Sequence, residues 1–155
     1  MDKETLHFKV GLSGTSEQKQ PKFSIAVDGN IVQEGILTQA PNVTEYFEFD
    51  VSLTEEPHEL QVSFLNKESA DTIKDDSGNI VGDLLLNIDS IEIEEIDLGT
   101  LLWTASIYNP IYPSSYTDLD QRSIKDVKNC VHLGWNGVWR LSFICPFYVW
   151  LLENL

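Results

Sequence analysis

Apolar and polar residues alternate along most of the first hundred positions. Leu6, Phe8, Val10 and Leu12 are interleaved with His7, Lys9 and Gly11, and Phe23, Ile25 and Val27 repeat the pattern. "VDGNIV" follows, and its Asp-Gly pair is a hairpin signal. Phe47, Phe49, Val51 and Leu53 then alternate with Glu48, Asp50 and Ser52, and Leu60, Val62 and Phe64 come after the "TEEPH" turn. A period of two marks strands with one face buried and one face wet. Many short strands separated by turns, with no helical periodicity between them, predict a mainly β protein: a single antiparallel, jelly-roll-like β-sandwich.

The run "DLLLNIDSIEIEEIDLG" changes phase. Leu84, Leu86 and Ile88 share one parity and Ile91 and Ile93 the other. An unbroken strand would turn its apolar face outward, so a bulge is expected near Asp89-Ser90. Past Gly99 the texture becomes irregular: "LLWTASIYNPIYPSSYTDLDQ" has prolines and tyrosines without a sustained period. Ile124, Val127, Cys130 and Val131 fall at helical spacing, with Gly134 as a cap, and predict a short helix. Gly137 opens a strand carrying Trp139, Leu141, Phe143 and Cys145 on one face. Pro146 ends it, and "FYVWLLENL" is a closing helical turn or a last strand.

Charge divides the 155-residue chain at the same place. Residues 1–99 hold 21 Asp/Glu and 6 Lys/Arg, whereas residues 100–155 hold 4 of each, so the whole net charge of −15 lies in the front. All four Trp and four of the five Tyr lie in the back. The expected organisation is one structural domain: an acidic sandwich core over 1–99 and a neutral, aromatic extension over 100–155 that completes the fold, docks on a partner, or both. Strong acidity works against phosphate backbones and anionic lipid, so neither nucleic acid nor membrane is an expected partner. Residues 1–10 contain no apolar signal region. The longest apolar run, Ile144 to Leu152, is well short of the roughly 20 residues that span a bilayer. Cys130 and Cys145 form no CxxC pair and read as reduced thiols of a protein made in a cytoplasm.

Chemistry is sparse. The loop "NKESADTIKDDSGNIVGD" places Asp71, Asp75, Asp76 and Asp83 close in sequence, and hard carboxylate oxygens are what Ca²⁺ takes. The loop is no EF-hand: counted from Asp75, the glycine position is Ile80 and the twelfth is Leu86. The alternative is a solvated hairpin in which "DSGN" makes the turn. His7, His58 and His132 have no metal-ligand spacing. Cys130 and His132 stand at i, i+2, where helical side chains diverge. With no GxSxG, P-loop or GxGxxG motif, catalysis is not expected. Tyr108, Tyr112 and Tyr116, spaced among prolines, could stack on sugar faces, anchor a loop, or serve an interface.

The finish "NCVHLGWNGVWRLSFICPFYVWLLENL" carries a large ring area. Each aromatic side chain buries about 150–250 Å², and the front already offers enough Leu, Ile, Val and Phe for a core. Either these rings close the second sheet of the sandwich, or they divide, with Trp139, Leu141 and Phe143 turned largely inward and Trp135, Tyr148 and Trp150 at least partly at an interface. The candidate protein–protein surface is Trp135, Trp139, Phe147, Tyr148, Trp150 and Leu151.

Two resemblances add to this. "HELQVSFLNK…VGDLLLNIDSIEIEEIDLG", residues 58–99, resembles the calcium-dependent xylan-binding modules, small β-sandwiches whose last strand opens on an Asp, here Asp83. The chain departs from them at two points: Leu84-Leu85 replace the usual Arg-Asn, and Lys67 follows Asn66 where an acidic residue is expected. An ammonium there opposes a divalent cation. Across the whole chain, "FLNK", "LLLNIDSI", "VKNCVHLGWNGVW" and "PFYVWLLENL" are similar to small uncharacterised proteins of T4-like marine cyanobacterial phages. That second resemblance implies a phage origin and a place on the virion. Together these lines lead to the expectation of a non-enzymatic virion component, made in the host cytoplasm. It would decorate, bridge or extend the particle in many copies, docking on other phage structural proteins through its tail. The alternative is a carbohydrate-binding module for a host-surface glycan, working through Ca²⁺ or an aromatic platform.

Overall fold

The computed structural model describes residues 3–111 and 126–154. Its first strand, β1 (Lys3–Gly14), pairs antiparallel with β4 (Glu45–Thr54) on one side and with β8 (Leu86–Ile93) on the other. β9 (Ile96–Asp97) and β12 (His132–Leu133) add to β8 and complete one sheet. The facing sheet runs β11 (Val127–Lys128), β10 (Ser106–Pro110), β13 (Gly137–Ile144), β5 (Pro57–Phe64), β2 (Lys22–Val27) and β3 (Asn30–Ile36), in that order. A small hairpin, β6 (Ile73–Lys74) and β7 (Ile80–Gly82), stands apart from both. Two α-helices, α1 (Leu101–Thr104) and α2 (Phe147–Asn154), and a 3-10 turn at Ser69–Asp71 complete the described residues. No helix is long and apolar enough to cross a membrane among the described residues.

The alternating residues make the core. Leu6, Phe8, Val10 and Leu12 are fully buried from one sheet, and Leu60, Val62, Phe64, Trp139 and Leu141 from the other. Rings meet across the gap, Phe8 with Phe143 at 6.0 Å and Phe23 with Phe47 at 4.7 Å between centroids. The β2–β3 turn is the Asp28-Gly29 pair, both residues at positive φ as a tight hairpin needs. The phase change in β8 is a bulge: Gly11 pairs with Ser90, Leu12 with Ile88, and Asp89 is left over. Both parities therefore reach the core, and Leu86, Ile88, Ile91 and Ile93 are all buried.

The back third enters the sandwich as interior structure. β13 lies between β10 and β5, paired with β5 from Gly137 to Ile144 and with β10 from Gly137 to Leu141. Gly137 permits the closest approach, because a Cβ there would sit 2.3 Å from the Asn109 carbonyl oxygen. α2 folds back so that Phe147 and Trp150 pack on Phe143. Its first amide, that of Phe147, donates to the Glu4 carboxylate of β1 at 2.9 Å, a negative group at a helix start. The helix is thus tied to both sheets.

Two expectations are corrected here. The helical spacing around Val127, Cys130 and Val131 does not give a helix. Val127 belongs to β11, and β12 begins directly after Val131, each a two-residue strand held by pairing with β10 or β8. Ile124 lies outside the described residues. The docking role of Trp139, Phe147, Trp150 and Leu151 is also overturned: each is at most 7 % exposed and sealed by its own chain. Of the six residues expected to dock, only Tyr148 is well exposed, and Trp135 is partly so.

Candidate ligand-binding cavity

Four short segments meet at one end of the sandwich. These are the chain after β5, the β6–β7 hairpin, the lead into β8, and the Gly134–Asn136 connection from β12 to β13. Asn136 joins the first and last of them. Its side-chain Oδ1 accepts the Lys67 backbone N–H at 2.7 Å, and its Nδ2 donates to the Lys67 carbonyl at 3.0 Å. An amide that binds both polar groups of one residue fixes the root of that side chain.

Lys67 then points inward, its side chain 1 % exposed. The ammonium donates to Asp83 Oδ1 and, at 2.7 Å, to the Leu84 carbonyl. Its third neighbour is the Trp135 ring, with Nζ 5.5 Å from the centroid. Asp83 Oδ1 also accepts from Thr72 Oγ1 at 2.8 Å and from the Leu84 amide at 2.9 Å. Thr15 Oγ1 donates to the Asp83 carbonyl at 2.8 Å and accepts from the Leu85 amide at 3.0 Å, which anchors the segment to β1. A buried charge survives only when paired and hydrogen-bonded, and Lys67 is both.

Beside this network lies a cavity of about 580 Å³, lined among others by Ser69, Thr72, Lys74, Asp83, Tyr108 and Trp135. Tyr108 holds Trp135 by the backbone: its hydroxyl donates to the Trp135 carbonyl and accepts from the Trp135 N–H at 3.2 Å. Two polar atoms of its lining residues have no hydrogen-bond partner among the described residues. The Trp135 indole Nε1 is buried and donates to nothing, and Asp83 Oδ2 accepts nothing.

The other expected site residues lie elsewhere or do other work. Tyr108 is 4 % exposed, so it braces Trp135 and offers no open platform, which corrects the sugar-stacking role expected of it. Tyr112 and Tyr116 lie outside the described residues. The four aspartates do not converge. Asp71 accepts from Lys19 Nζ at 2.9 Å and from the Glu68 amide at 2.7 Å. Burial opposes its charge, but Lys19 and Glu68 outweigh that and hold its carboxyl below the ordinary value. Asp75 closes the β6–β7 turn, its Oδ1 accepting the amides of Ser77 and Asn79 at 2.9 Å each. Asp76 is exposed. Only Asp83 stands at the cavity, and its carboxylate already holds an ammonium. Among the described residues no three His, Cys, Asp or Glu side chains gather as a metal cage. Calcium prefers 6–8 oxygens, most of them anionic or carbonyl, and a buried cation in their midst does not fit it.

Catalytic pairings fare no better. Cys130 Sγ donates to the His132 carbonyl at 3.2 Å, while the His132 ring turns to Asn87 Oδ1 at 2.8 Å. Cys145 is buried, which, with Glu4 beside it, pushes its thiol up to about 12, far from a nucleophile's range.

No protein-family model matches the sequence, and neither does any curated protein. Two solved structures are similar. One is the selenomethionine form of vCBM60, described among calcium-dependent carbohydrate-binding modules. It is 18% identical, the match covers 88% of this chain and 89% of that one, and the TM-score is 0.55. The other is vCBM60 in complex with galactobiose, 20% identical over 89% and 97% of the two chains, with a TM-score of 0.49. The chain is an antiparallel β-sandwich, a fold it shares with vCBM60.

Proposed function

We propose that the protein is a non-catalytic carbohydrate-binding module that takes a neutral glycan in the cavity beside Trp135. One observation carries this reading: the cavity is walled by the partly exposed ring of Trp135 beside the hydroxyl side chains of Ser69 and Thr72 and the carboxylate of Asp83. Apolar ring surface with a few fixed polar groups around it is the usual make-up of a small-ligand site. The unengaged Asp83 oxygen is an acceptor for a ligand hydroxyl. The volume suits a mono- or disaccharide, since small-ligand sites run from about 300 to 1,000 Å³. The net charge of −15 repels anionic polysaccharides and leaves neutral ones.

An array of neutral oligosaccharides, probed with the full chain, tests the proposal. Binding to a subset of glycans is expected, with Kd at least about tenfold weaker for Trp135→Ala, the loss of roughly one aromatic contact. A silent array from folded protein overturns it.

A second reading, a place on a virion among phage structural proteins, keeps one support. Tyr148 and Leu152 lie one turn apart on α2 and, with Val149, leave the outer face of that helix apolar and exposed. A mass-spectrometric inventory of purified particles tests it, and absence of the chain there would remove it.

A further inference from the structure

We infer that Lys67 is a resident cation: its ammonium occupies the place a divalent ion would otherwise hold among the oxygens of Asp83 and Leu84, and it makes this end of the sandwich independent of metal. The inference stands whether or not the cavity binds a saccharide.

The partners around Nζ are a carboxylate oxygen and a main-chain carbonyl, hard oxygens of the kind a calcium ion takes. The ammonium lies 2.7 Å from the Leu84 oxygen, little more than a calcium–oxygen bond of about 2.3–2.6 Å. Ion and ammonium cannot share that space, for reasons of volume and of like charge. Nor is the lysine there by default. A side chain that loses several rotatable bonds on burial must be held, and this one is held at both ends. Asn136 fixes its backbone, and Asp83, Leu84 and Trp135 receive its tip. The single charge also suits the single carboxylate. With Lys67 in place, the pair is neutral and needs nothing from solution.

The same geometry states how the site would revert. An aspartate at position 67, followed by an ion–oxygen bond of about 2.4 Å, spans roughly the reach of the lysine stem. Lys67→Asp would then present two carboxylates and the Leu84 carbonyl to the vacated space. Without an ion those groups repel, and with one they converge.

Thermal melts of the full chain in EDTA and in CaCl₂ test this. The wild type is expected to melt within about 1 °C of the same temperature in both, since no binding means no linkage. Lys67→Asp should melt lower in EDTA and recover by about 5–10 °C in saturating CaCl₂. Adding Asp83→Asn should abolish that recovery, which separates the site from ion binding by the acidic surface. Lys67→Met should melt lower in both buffers. A wild type stabilised by CaCl₂ overturns the inference. So does a Lys67→Asp protein that is indifferent to calcium, or one that fails to fold with calcium present, because the ion would then not replace the ammonium.

Discussion

Trp135 and Trp139 stand four residues apart and meet opposite fates. Trp139 is wholly buried in β13, and its indole N–H donates to the Cys130 carbonyl at 3.0 Å. Trp135 lines the cavity, partly exposed, and its indole N–H finds no acceptor among the described residues. The region around Trp139 is closed in the same sense throughout: Phe143, Phe147 and Trp150 meet at ring distances of 6.0 to 6.5 Å and hide one another from water. Ring area alone therefore does not separate a core from a binding surface. The fate of the polar handle does, because a tryptophan that belongs to the core brings its N–H to a partner inside the core.

Substitution separates the two tryptophans most clearly. Trp139→Ala is expected to cost about 3–5 kcal/mol, the range for emptying a large aromatic site in a packed core. Trp135→Ala should cost only about 1 kcal/mol, chiefly its contact with the Lys67 ammonium. Urea denaturation reads both. Equal costs would place Trp135 in the core and remove the ground for a cavity ligand.

Much of the sandwich was legible in the sequence because strand alternation is local. Leu6 to Leu12 and Leu60 to Phe64 lie inward as their parity predicts, and even the parity switch in β8 is realised by one surplus residue, Asp89. Failure came where pairing is non-local. Val127 and Lys128 form a strand only because β10 lies alongside, and two residues carry no periodicity to announce it. The surplus of rings was misjudged for the same kind of reason. Counting cannot show that β13 is an interior strand or that α2 is tied to both sheets, which is what hides Phe147 and Trp150. At the cavity, Lys67 stood out as a cation in an acidic position, but the amide that fixes it, Asn136, lies 69 residues away.

His58 resembles Trp139 in this respect: it is a buried polar group with both ring nitrogens engaged. Its Nδ1 lies 2.6 Å from Asp28 Oδ2 and its Nε2 2.8 Å from the Thr54 carbonyl. Both partners are acceptors, so only the doubly protonated ring satisfies them. Burial alone would lower its pKa, but the Thr54 carbonyl and Asp28 carboxylate together raise it above 6.5. A raised folded-state pKa gives stability that is fully present below the unfolded value and is lost as pH rises through the folded one. His58→Gln should therefore be destabilised by about 1–3 kcal/mol near pH 6, the worth of bonds to a charged group. Its deficit against the wild type should shrink as the pH climbs above that raised value. A deficit that grows with pH would mean the ring is neutral in the fold.

The smallest effect separates two adjacent carboxylates at the tip of the β6–β7 hairpin. Asp75 is committed: the Asn79 amide, followed by the Ser77 amide and the Asn79 side chain, holds its carboxyl below the ordinary value despite the opposing effect of desolvation. Asp76 is exposed beside it. Asp75→Ala should lower the melting temperature by about 2–4 °C, on the scale of one turn hydrogen bond in a chain of this size, whereas Asp76→Ala should leave it unchanged within about 1 °C. A depressed folded-state pKa gives stability present above the unfolded value and lost as pH falls through the folded one, so the Asp75→Ala deficit should fade in acid. Neither substitution should alter the response to CaCl₂, because the two side chains serve a turn and stand apart from the oxygens around Lys67. If Asp76→Ala lowered the melting temperature as much as Asp75→Ala, the hairpin tip would be a second organised site and the contrast between committed and free carboxylates would fail there.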